Sequence, residues 1–182
     1  MLIYQDIFTG DELCSDSFPV KLVDDLVYEF RGKHVIRKEG QIELSGANPS
    51  AEEMDEGTEE AVERGVDIVL NHRLQNMTSV YGDAKQFKDW AKEYMKKLVA
   101  RLKEDGKSEE ELKTFKTKIQ EFIVSLVKKE RFKNLDFFMP DSDNAADGML
   151  CILEYRDVDG EEVPTMMLMK HGVEEVKCVS SF

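Results

Sequence analysis

Residues 83–131 read DAKQFKDWAKEYMKKLVARLKEDGKSEEELKTFKTKIQEFIVSLVKKER, the most regularly patterned stretch of the sequence. In both halves of it, apolar side chains recur at intervals of three and four residues. That spacing is typical of an amphipathic α-helix that buries one face. The recurring apolar residues are Phe87, Trp90, Ala91, Tyr94, Met95, Leu98, Val99 and Leu102, followed by Leu112, Phe115, Ile119, Phe122, Ile123, Leu126 and Val127.

Capping residues and one glycine indicate where the two helices begin and end. Asp83, with Gln86 three residues later, predicts a capping box at the first start. Gly106 predicts the end of this helix, because glycine adopts the left-handed conformation at the lowest cost. Ser108 with Glu111 predicts a second capping box. Since the connection is short, the segment is predicted to form two antiparallel helices, which we call the helical hairpin.

The helical hairpin also carries the positive charge of the chain. Residues 84–131 contain 14 Lys and Arg against 9 Asp and Glu, a net charge of +5. The whole chain has a net charge of −13, which leaves −18 on the remainder. A basic rod on an acidic body attracts acidic partners to the rod and cations to the body. The alternative is that these lysines only keep an exposed helix face soluble.

Composition predicts one soluble globular domain that spans residues 1–182. The chain is 41% hydrophobic and 35% charged, and it has neither an apolar run of membrane-spanning length nor the pattern of a signal peptide. Cys14, Cys151 and Cys178 form no Cys-x-x-Cys pair, which favours a reducing compartment and argues against zinc. The acidic balance argues against nucleic acid as the main partner.

Strand patterns lie on both sides of the helical hairpin. Strands are predicted at residues 2–8, 66–70, 135–139, 149–155, 165–169 and, more weakly, 173–182. A pair of strands with its turn at Gly32 is predicted over residues 26–38. Strands that flank a helical hairpin predict an α+β fold with the helices packed to one side.

Residues 40–65 differ in composition from the rest of the chain. They include Gly46, Pro49 and Gly57, together with 7 Asp and Glu between residues 52 and 63. Such a segment has too few large apolar side chains to offset its ordering entropy by burial. We therefore expect a mobile acidic loop that is inserted within the domain.

Motifs for catalysis are missing from the sequence, and the chain is predicted not to be an enzyme. There is no glycine-rich phosphate loop and no nucleophile-plus-base motif. His34, His72 and His171 are far apart and are interpreted as surface or hydrogen-bonded residues, although folding could assemble a site. Ala146 stands where an EF-hand needs glycine, so no EF-hand is predicted. A looser and weaker calcium site on the acidic body remains open, and the favoured alternative is that these acids only form a solvated surface.

Six segments together resemble the translationally controlled tumour protein family, also called histamine-releasing factor. The order of the segments and the chain length agree with the family almost from end to end. The segments are MLIYQD at 1–6, GANPSAEE at 46–53, GVDIVLNH at 65–72, FKNLDFF at 132–138, LEYRD at 153–157 and EEVKC at 174–178. The resemblance implies an α+β fold with a β-rich, tent-like body of mixed sheet and a helical hairpin.

The resemblance also implies a function. It points to a non-enzymatic cytoplasmic protein that binds calcium weakly, binds tubulin or microtubules, and is associated with growth and survival. In the family, tubulin contact is attributed to the basic helical hairpin, and an exposed lysine face suits the strongly acidic surface of tubulin. The candidate contacts here are Lys85, Lys88, Lys92, Lys96, Lys103, Lys113 and Lys116.

A second hypothesis that follows from the resemblance is regulation of a small GTPase such as Rheb, by exchange-factor-like or chaperone action. Asp11 and Glu12, at a predicted turn, are the candidate contacts. A carboxylate can compete with phosphate or Mg²⁺ for the cationic site of a GTPase. Glu12 could equally be an ordinary turn acid. Apoptosis regulators are further implied partners, and a monomer is expected, with a dimer linked through Cys178 left open.

Overall fold

The computed structural model describes residues 1–38, 41–44 and 62–178. All of the described strands precede or follow two long helices in the middle of the chain. The strands are β1 (Leu2–Asp6), β2 (Glu12–Ser15), β3 (Val20–Val23), β4 (Val27–Arg31), β5 (His34–Lys38), β6 (Gln41–Leu44), β7 (Val62–Val66), β8 (Leu74–Asn76), β9 (Leu135–Pro140), β10 (Cys151–Val158), β11 (Glu161–Met169) and β12 (Val173–Lys177). The α-helices are α1 (Asp67–Asn71), α2 (Thr78–Tyr81), α3 (Ala84–Glu104), α4 (Glu109–Leu126) and α5 (Lys129–Phe132).

The described strands form three sheets. The largest has the order β3-β4-β11-β10-β9-β8, and two smaller sheets have the orders β12-β1-β2 and β6-β5-β7. Every strand pair in the described part is antiparallel. The β10–β11 pair turns at Asp159 and Gly160, whose φ angles are 54° and 84°, as the predicted strand pattern requires. The predicted α+β class, with a β-rich body and a helical hairpin, is confirmed. The mixed sheet that the resemblance implied is wrong for the described residues, because all of their strand pairs are antiparallel.

One apolar core joins the helical hairpin to the sheets. Phe87 and Leu98 of α3 and Leu126 of α4 are fully buried, as are Phe30 of β4 and Phe137 of β9. The rings of Phe87 and Phe137 lie 5.1 Å apart between centroids. Because the same core holds residues from sheet and helix, the helical hairpin is part of the folded body.

The ends of the two long helices agree with the sequence at all but one position. Gly106 has a φ of 89° after α3. The Ser108 hydroxyl accepts a hydrogen bond from the Glu111 N–H, and the Glu111 carboxylate accepts one from the Ser108 N–H. Asp83 is the N-cap residue of α3, but its side chain makes no capping hydrogen bond. The capping box predicted for Asp83 and Gln86 is therefore wrong, because water can satisfy the N–H groups of this exposed helix start.

The strand predicted at residues 66–70 is wrong, because the chain turns into helix α1 after Val66. The Asp67 carboxylate accepts hydrogen bonds from the N–H groups of Lys33 and Ile68, both at 2.8 Å. The resulting helical turn buries Ile68 completely. A short apolar run fits a buried strand and a buried helix equally well, so the sequence pattern does not separate them.

The strand pair predicted over residues 26–38 is also wrong. β4 pairs with β3 and β11, whereas β5 pairs with β6 and β7 in another sheet. A Cβ at Gly32 would lie 2.9 Å from Asp67 Oδ1 and 3.0 Å from Val66 Cγ1. The glycine is therefore needed for close packing between the sheets. The turn that precedes β4 lies at Asp24 and Asp25, whose φ angles are 53° and 54°.

The loop predicted over residues 40–65 is too long at both ends. β6 and β7 occupy its ends, and both strands pair with β5. A strand supplies unpaired backbone groups along both of its edges, and neighbouring segments can pair with them whatever their composition. Residues 45–61, which carry most of the acidic charge of this loop, lie outside the described residues.

Candidate protein-binding groove on the helical hairpin

The inner face of the helical hairpin is held against the body by polar as well as apolar contacts. The Lys97 ammonium lies 4.5 Å from the centroid of the Phe8 ring and donates a hydrogen bond to the Asp147 carbonyl. Arg101 donates to the carbonyl of Ile7 at 3.5 Å. These contacts use two basic residues to fix the orientation of α3 on the body.

A second face of the helical hairpin forms a groove that opens to solvent between α3 and α4. We call it the lysine groove, and its volume is about 640 Å³. It is lined by Lys88, Ala91, Lys92, Met95, Lys96, Val99, Ala100 and Lys103 of α3 and by Lys116, Ile119, Gln120, Ile123 and Val124 of α4. The groove combines a basic rim with an apolar floor.

The rim of the lysine groove carries an excess of positive charge. Five of the residues that line the groove are lysine, and no Asp or Glu is among the lining residues. Lys96 pairs with Glu93 at 3.7 Å on the exposed surface, and such a pair contributes little stability. The other rim lysines form no ion pair within the described part of the chain. Their charges remain available to a partner.

The floor of the lysine groove is apolar and only partly covered. Met95, Val99 and Ile123 are half-buried. Val124 is 54% exposed. Apolar surface that stays exposed beside a charged rim is typical of a protein-binding site.

The structure brings together five of the seven lysines that the sequence singled out. Lys88, Lys92, Lys96, Lys103 and Lys116 line the groove, whereas Lys85 and Lys113 are exposed outside it. Their contact with tubulin stays a prediction.

Sequence reasoning missed the floor of the groove. It assigned Met95, Val99 and Ile123 to the buried stripe and left Val124 unassigned. A signal was present in the sequence, since Phe122, Ile123 and Val124 are consecutive. Successive residues of a helix point in directions about 100° apart, so three in a row cannot all face one core.

The second candidate site, the corner at Asp11 and Glu12, places its two carboxylates in different surroundings. Asp11 is half-buried, and its carboxylate accepts a hydrogen bond from the Ser142 hydroxyl at 2.8 Å. The Asp11 carbonyl accepts a further one from the Asp6 N–H, at 2.8 Å. Glu12 is exposed at the start of β2. The corner thus holds Asp11 in place and presents Glu12 to solvent.

Asp6, which sequence reasoning did not single out, is a buried residue that contacts this corner through its backbone and holds the neighbouring chain through its side chain. Its buried carboxylate accepts hydrogen bonds from the N–H groups of Phe8 at 2.8 Å and Met149 at 2.6 Å. Burial raises the pKa of Asp6 above its usual value, although these hydrogen bonds act in the opposite direction. A Cβ at position 148 would overlap the Asp6 carboxylate, so Gly148 is required for this approach.

The three histidines are half-buried and do not form a common site. His34 Nε2, His72 Nε2 and His171 Nδ1 are buried without a hydrogen-bond partner among the described residues. The sequence did not indicate that one nitrogen of each ring would be buried in this way. The His34 ring stacks on Tyr155 at 6.0 Å between centroids. Burial lowers the pKa of His72 and of His171, so both rings are neutral packing groups near neutral pH.

Candidate metal ligands do not gather in the described part of the chain. Within residues 1–38, 41–44 and 62–178, no group of three or more His, Cys, Asp or Glu side chains could hold a metal ion. Cys14 and Cys151 are buried, and Cys178 is exposed. Burial raises the pKa of the Cys14 thiol to about 12, which makes it a poor ligand. Weak calcium binding stays a prediction.

The fold and the groove together define a β-rich α+β protein with a basic, apolar-floored groove on its helical hairpin. The chain belongs to the translationally controlled tumour protein family, because the model of that family matches residues 1–174. In the described part of the chain, no helix is both long and apolar enough to cross a membrane.

Relatives of known sequence and known structure agree with this assignment. The chain is 60% identical over 178 residues to a translationally-controlled tumor protein homolog of Trichinella pseudospiralis, which covers 98% of this chain and 100% of that protein. The NMR structure of the Caenorhabditis elegans protein has a TM-score of 0.78 at 54% identity and covers 99% of this chain and 100% of its own. The Schizosaccharomyces pombe protein p23fyp has a TM-score of 0.75 at 35% identity, with coverages of 98% and 100%.

Proposed function

We propose that this protein is a non-enzymatic cytoplasmic interaction protein that binds tubulin or microtubules through the lysine groove. The observation that carries the proposal is the lining of the groove, which contains five lysines and no carboxylate. The chain as a whole is strongly acidic, with a net charge of −13. The groove is therefore a local reversal of charge, and it suits an acidic protein surface.

The physical consequence is a binding reaction that depends on salt. Charges on an exposed rim attract an acidic partner over a Debye length, which is about 8 Å at physiological ionic strength. Added salt shortens this range and weakens the attraction. The apolar floor adds a contribution that salt does not screen.

The test is co-sedimentation with microtubules at several salt concentrations. The quadruple variant Lys88→Gln, Lys92→Gln, Lys103→Gln and Lys116→Gln removes charge from the groove. We expect it to bind about tenfold or more weakly than the unaltered chain and with a flatter salt dependence.

A matched control removes the same charge elsewhere on the helical hairpin region. It carries Lys85→Gln, Lys107→Gln, Lys113→Gln and Lys129→Gln, at positions that do not line the groove. The control should retain most of the binding. If both variants lose binding equally, only the net charge matters and the groove is not the site.

A second candidate function is regulation of a small GTPase through Glu12. The observation that favours it is the exposed position of Glu12 beside the held Asp11. Nucleotide release from the GTPase would be measured with Glu12→Val and with Glu174→Val as the control. Both residues are exposed and both are paired with Gln5, from opposite neighbouring strands. Only Glu12→Val should slow release, and equal rates for the two variants would leave Glu12 without this role.

Calcium binding is part of the same proposal, as a weak property of the acidic body. The net charge outside residues 84–131 is −18, which concentrates cations near the surface without a closed cage. A calcium titration followed by amide chemical shifts should give gradual changes at many acidic residues. One saturating set of shifts at micromolar calcium would contradict this view, because it would require a formed cage.

A further inference from the structure

We infer that the partner segment that enters the lysine groove is an acidic amphipathic α-helix. This inference rests on the proposed function only in taking the groove as the binding surface. It goes further by naming the element of the partner that fits. Three properties of the groove support it: the apolar floor, the arrangement of the lysines and the length.

The apolar floor argues against a purely acidic extended segment. Met95, Val99, Ile123 and Val124 would keep much of their contact with water under such a segment, because Asp and Glu side chains have only one or two methylene groups to place on apolar surface. A helix with an apolar stripe would bury these side chains, at about 25 cal/mol for each Å² removed from water. The floor therefore selects a partner that has an apolar face of its own.

The lysines are distributed unevenly over the two rims. Lys88, Lys92, Lys96 and Lys103 lie on α3, and Lys116 is the single lysine on the α4 side. The spacing along α3 is four, four and seven residues, so these lysines follow one stripe of the helix. An occupying helix would pair with them best if its acidic residues were concentrated along one flank of its apolar stripe.

The length of the groove matches a short helix. Between Lys88 and Lys103, α3 rises by about 22 Å, at about 1.5 Å for each residue. A partner helix of about 15 residues covers this distance in four turns. Helices that lie in apolar grooves through anchors spaced three and four residues apart are a common mode of recognition.

The test compares two peptides of about 15 residues that have the same composition and the same lactam staple. The first peptide has one stripe of leucine with glutamate along one flank. The second has the same residues permuted, so that leucine is spread around the helix. Binding of the labelled peptides to the full-length chain is measured by fluorescence anisotropy. We expect the amphipathic peptide to bind about tenfold more tightly than the permuted one.

The variant Val124→Glu tests whether the floor makes this difference. Val124 is 54% exposed, so the substitution leaves the core intact, and Val80, which is 43% exposed in α2 and outside the groove, provides the control Val80→Glu. Val124→Glu should weaken the binding of the amphipathic peptide at least fivefold, and Val80→Glu should leave this binding unchanged. Equal affinities of the two peptides, or an unchanged affinity in Val124→Glu, would overturn the inference.

The two proposals fail in different ways. Suppose that the four-lysine groove variant no longer binds microtubules, while both peptides bind the unaltered chain equally. The proposed function then stands, and the inference of a helical ligand is wrong. If the amphipathic peptide binds selectively while microtubule binding survives in the groove variant, the ligand class stands and tubulin is not the partner at this site.

Discussion

The two faces of the helical hairpin use the same kinds of residue in opposite ways. Leu98 is fully buried against the body, whereas the adjacent Val99 lies on the half-covered floor of the groove. Lys97 is held by the Phe8 ring and the body backbone, whereas Lys96 stands on the groove rim. On the helical hairpin, a residue's role is therefore set by its angle around the helix, and not by its type.

The largest effect expected from this comparison is on stability. Leu98→Ala removes a fully buried side chain and should lower the free energy of unfolding by about 2–5 kcal/mol. Val124→Ala, on the groove floor, should change it by less than about 0.5 kcal/mol. Urea unfolding can be followed through Trp90, the single tryptophan, which stacks on Tyr94 at 4.9 Å. Similar losses in both variants would mean that the two faces are not distinct.

A smaller effect is expected at Asp6, which is buried with Tyr94 beneath the inner face. Burial raises the pKa of Asp6 in the folded state above its usual value of 3.8. The folded state therefore binds this proton more tightly, and stability falls as the pH rises from about 3.8 through the folded pKa.

The variant Asp6→Asn tests that pH dependence. It should remove this fall and should cost about 1–3 kcal/mol at neutral pH, because one backbone N–H loses its acceptor. Unfolding free energies measured between pH 4 and pH 7 check both effects. A groove variant such as Lys92→Gln is the control, and it should keep the fall. If Asp6→Asn keeps it as well, the fall belongs to another group.

The smallest effect separates two neighbouring lysines. Lys97→Gln removes a cation–π contact and a hydrogen bond to the Asp147 carbonyl, so it should cost about 0.5–1 kcal/mol of stability. Lys96→Gln should leave stability nearly unchanged and should instead weaken microtubule binding. Thermal unfolding measures the stability of both variants, and co-sedimentation measures their binding to microtubules. If Lys96→Gln lowers stability and Lys97→Gln weakens microtubule binding, the roles assigned to the two lysines are wrong.

Local patterns allowed much of the fold to be predicted. The three-and-four spacing located α3 and α4, and Gly106 and Ser108 marked the turn between them. These features depend on residues close together in sequence, whose effects are visible in a short window. The segments shared with the translationally controlled tumour protein family then identified the arrangement as a whole.

Features that depend on distant residues could not be predicted in the same way. β1 pairs with β12, so that Leu2 lies opposite Lys177, and no local signal links these two ends. Gly32 was predicted to be a turn residue because it is a glycine between two strand patterns. The sequence does not show that Asp67 and Val66 pack against it. Only part of the lysine groove could be predicted from the sequence. Its lysines were recognised by charge, whereas its apolar floor is defined only by what the core leaves uncovered.

Hydrogen–deuterium exchange of the full-length chain, with and without microtubules, shows directly which surface of the protein a microtubule covers. If the solvent-open face of the helical hairpin is the binding surface, protection should increase in residues 88–103 and 116–124. Residues 7–15, at the Glu12 corner, should exchange at the same rate in both samples. Protection confined to the corner or to the sheets, with no change along α3 and α4, would contradict the assignment of the lysine groove as the site.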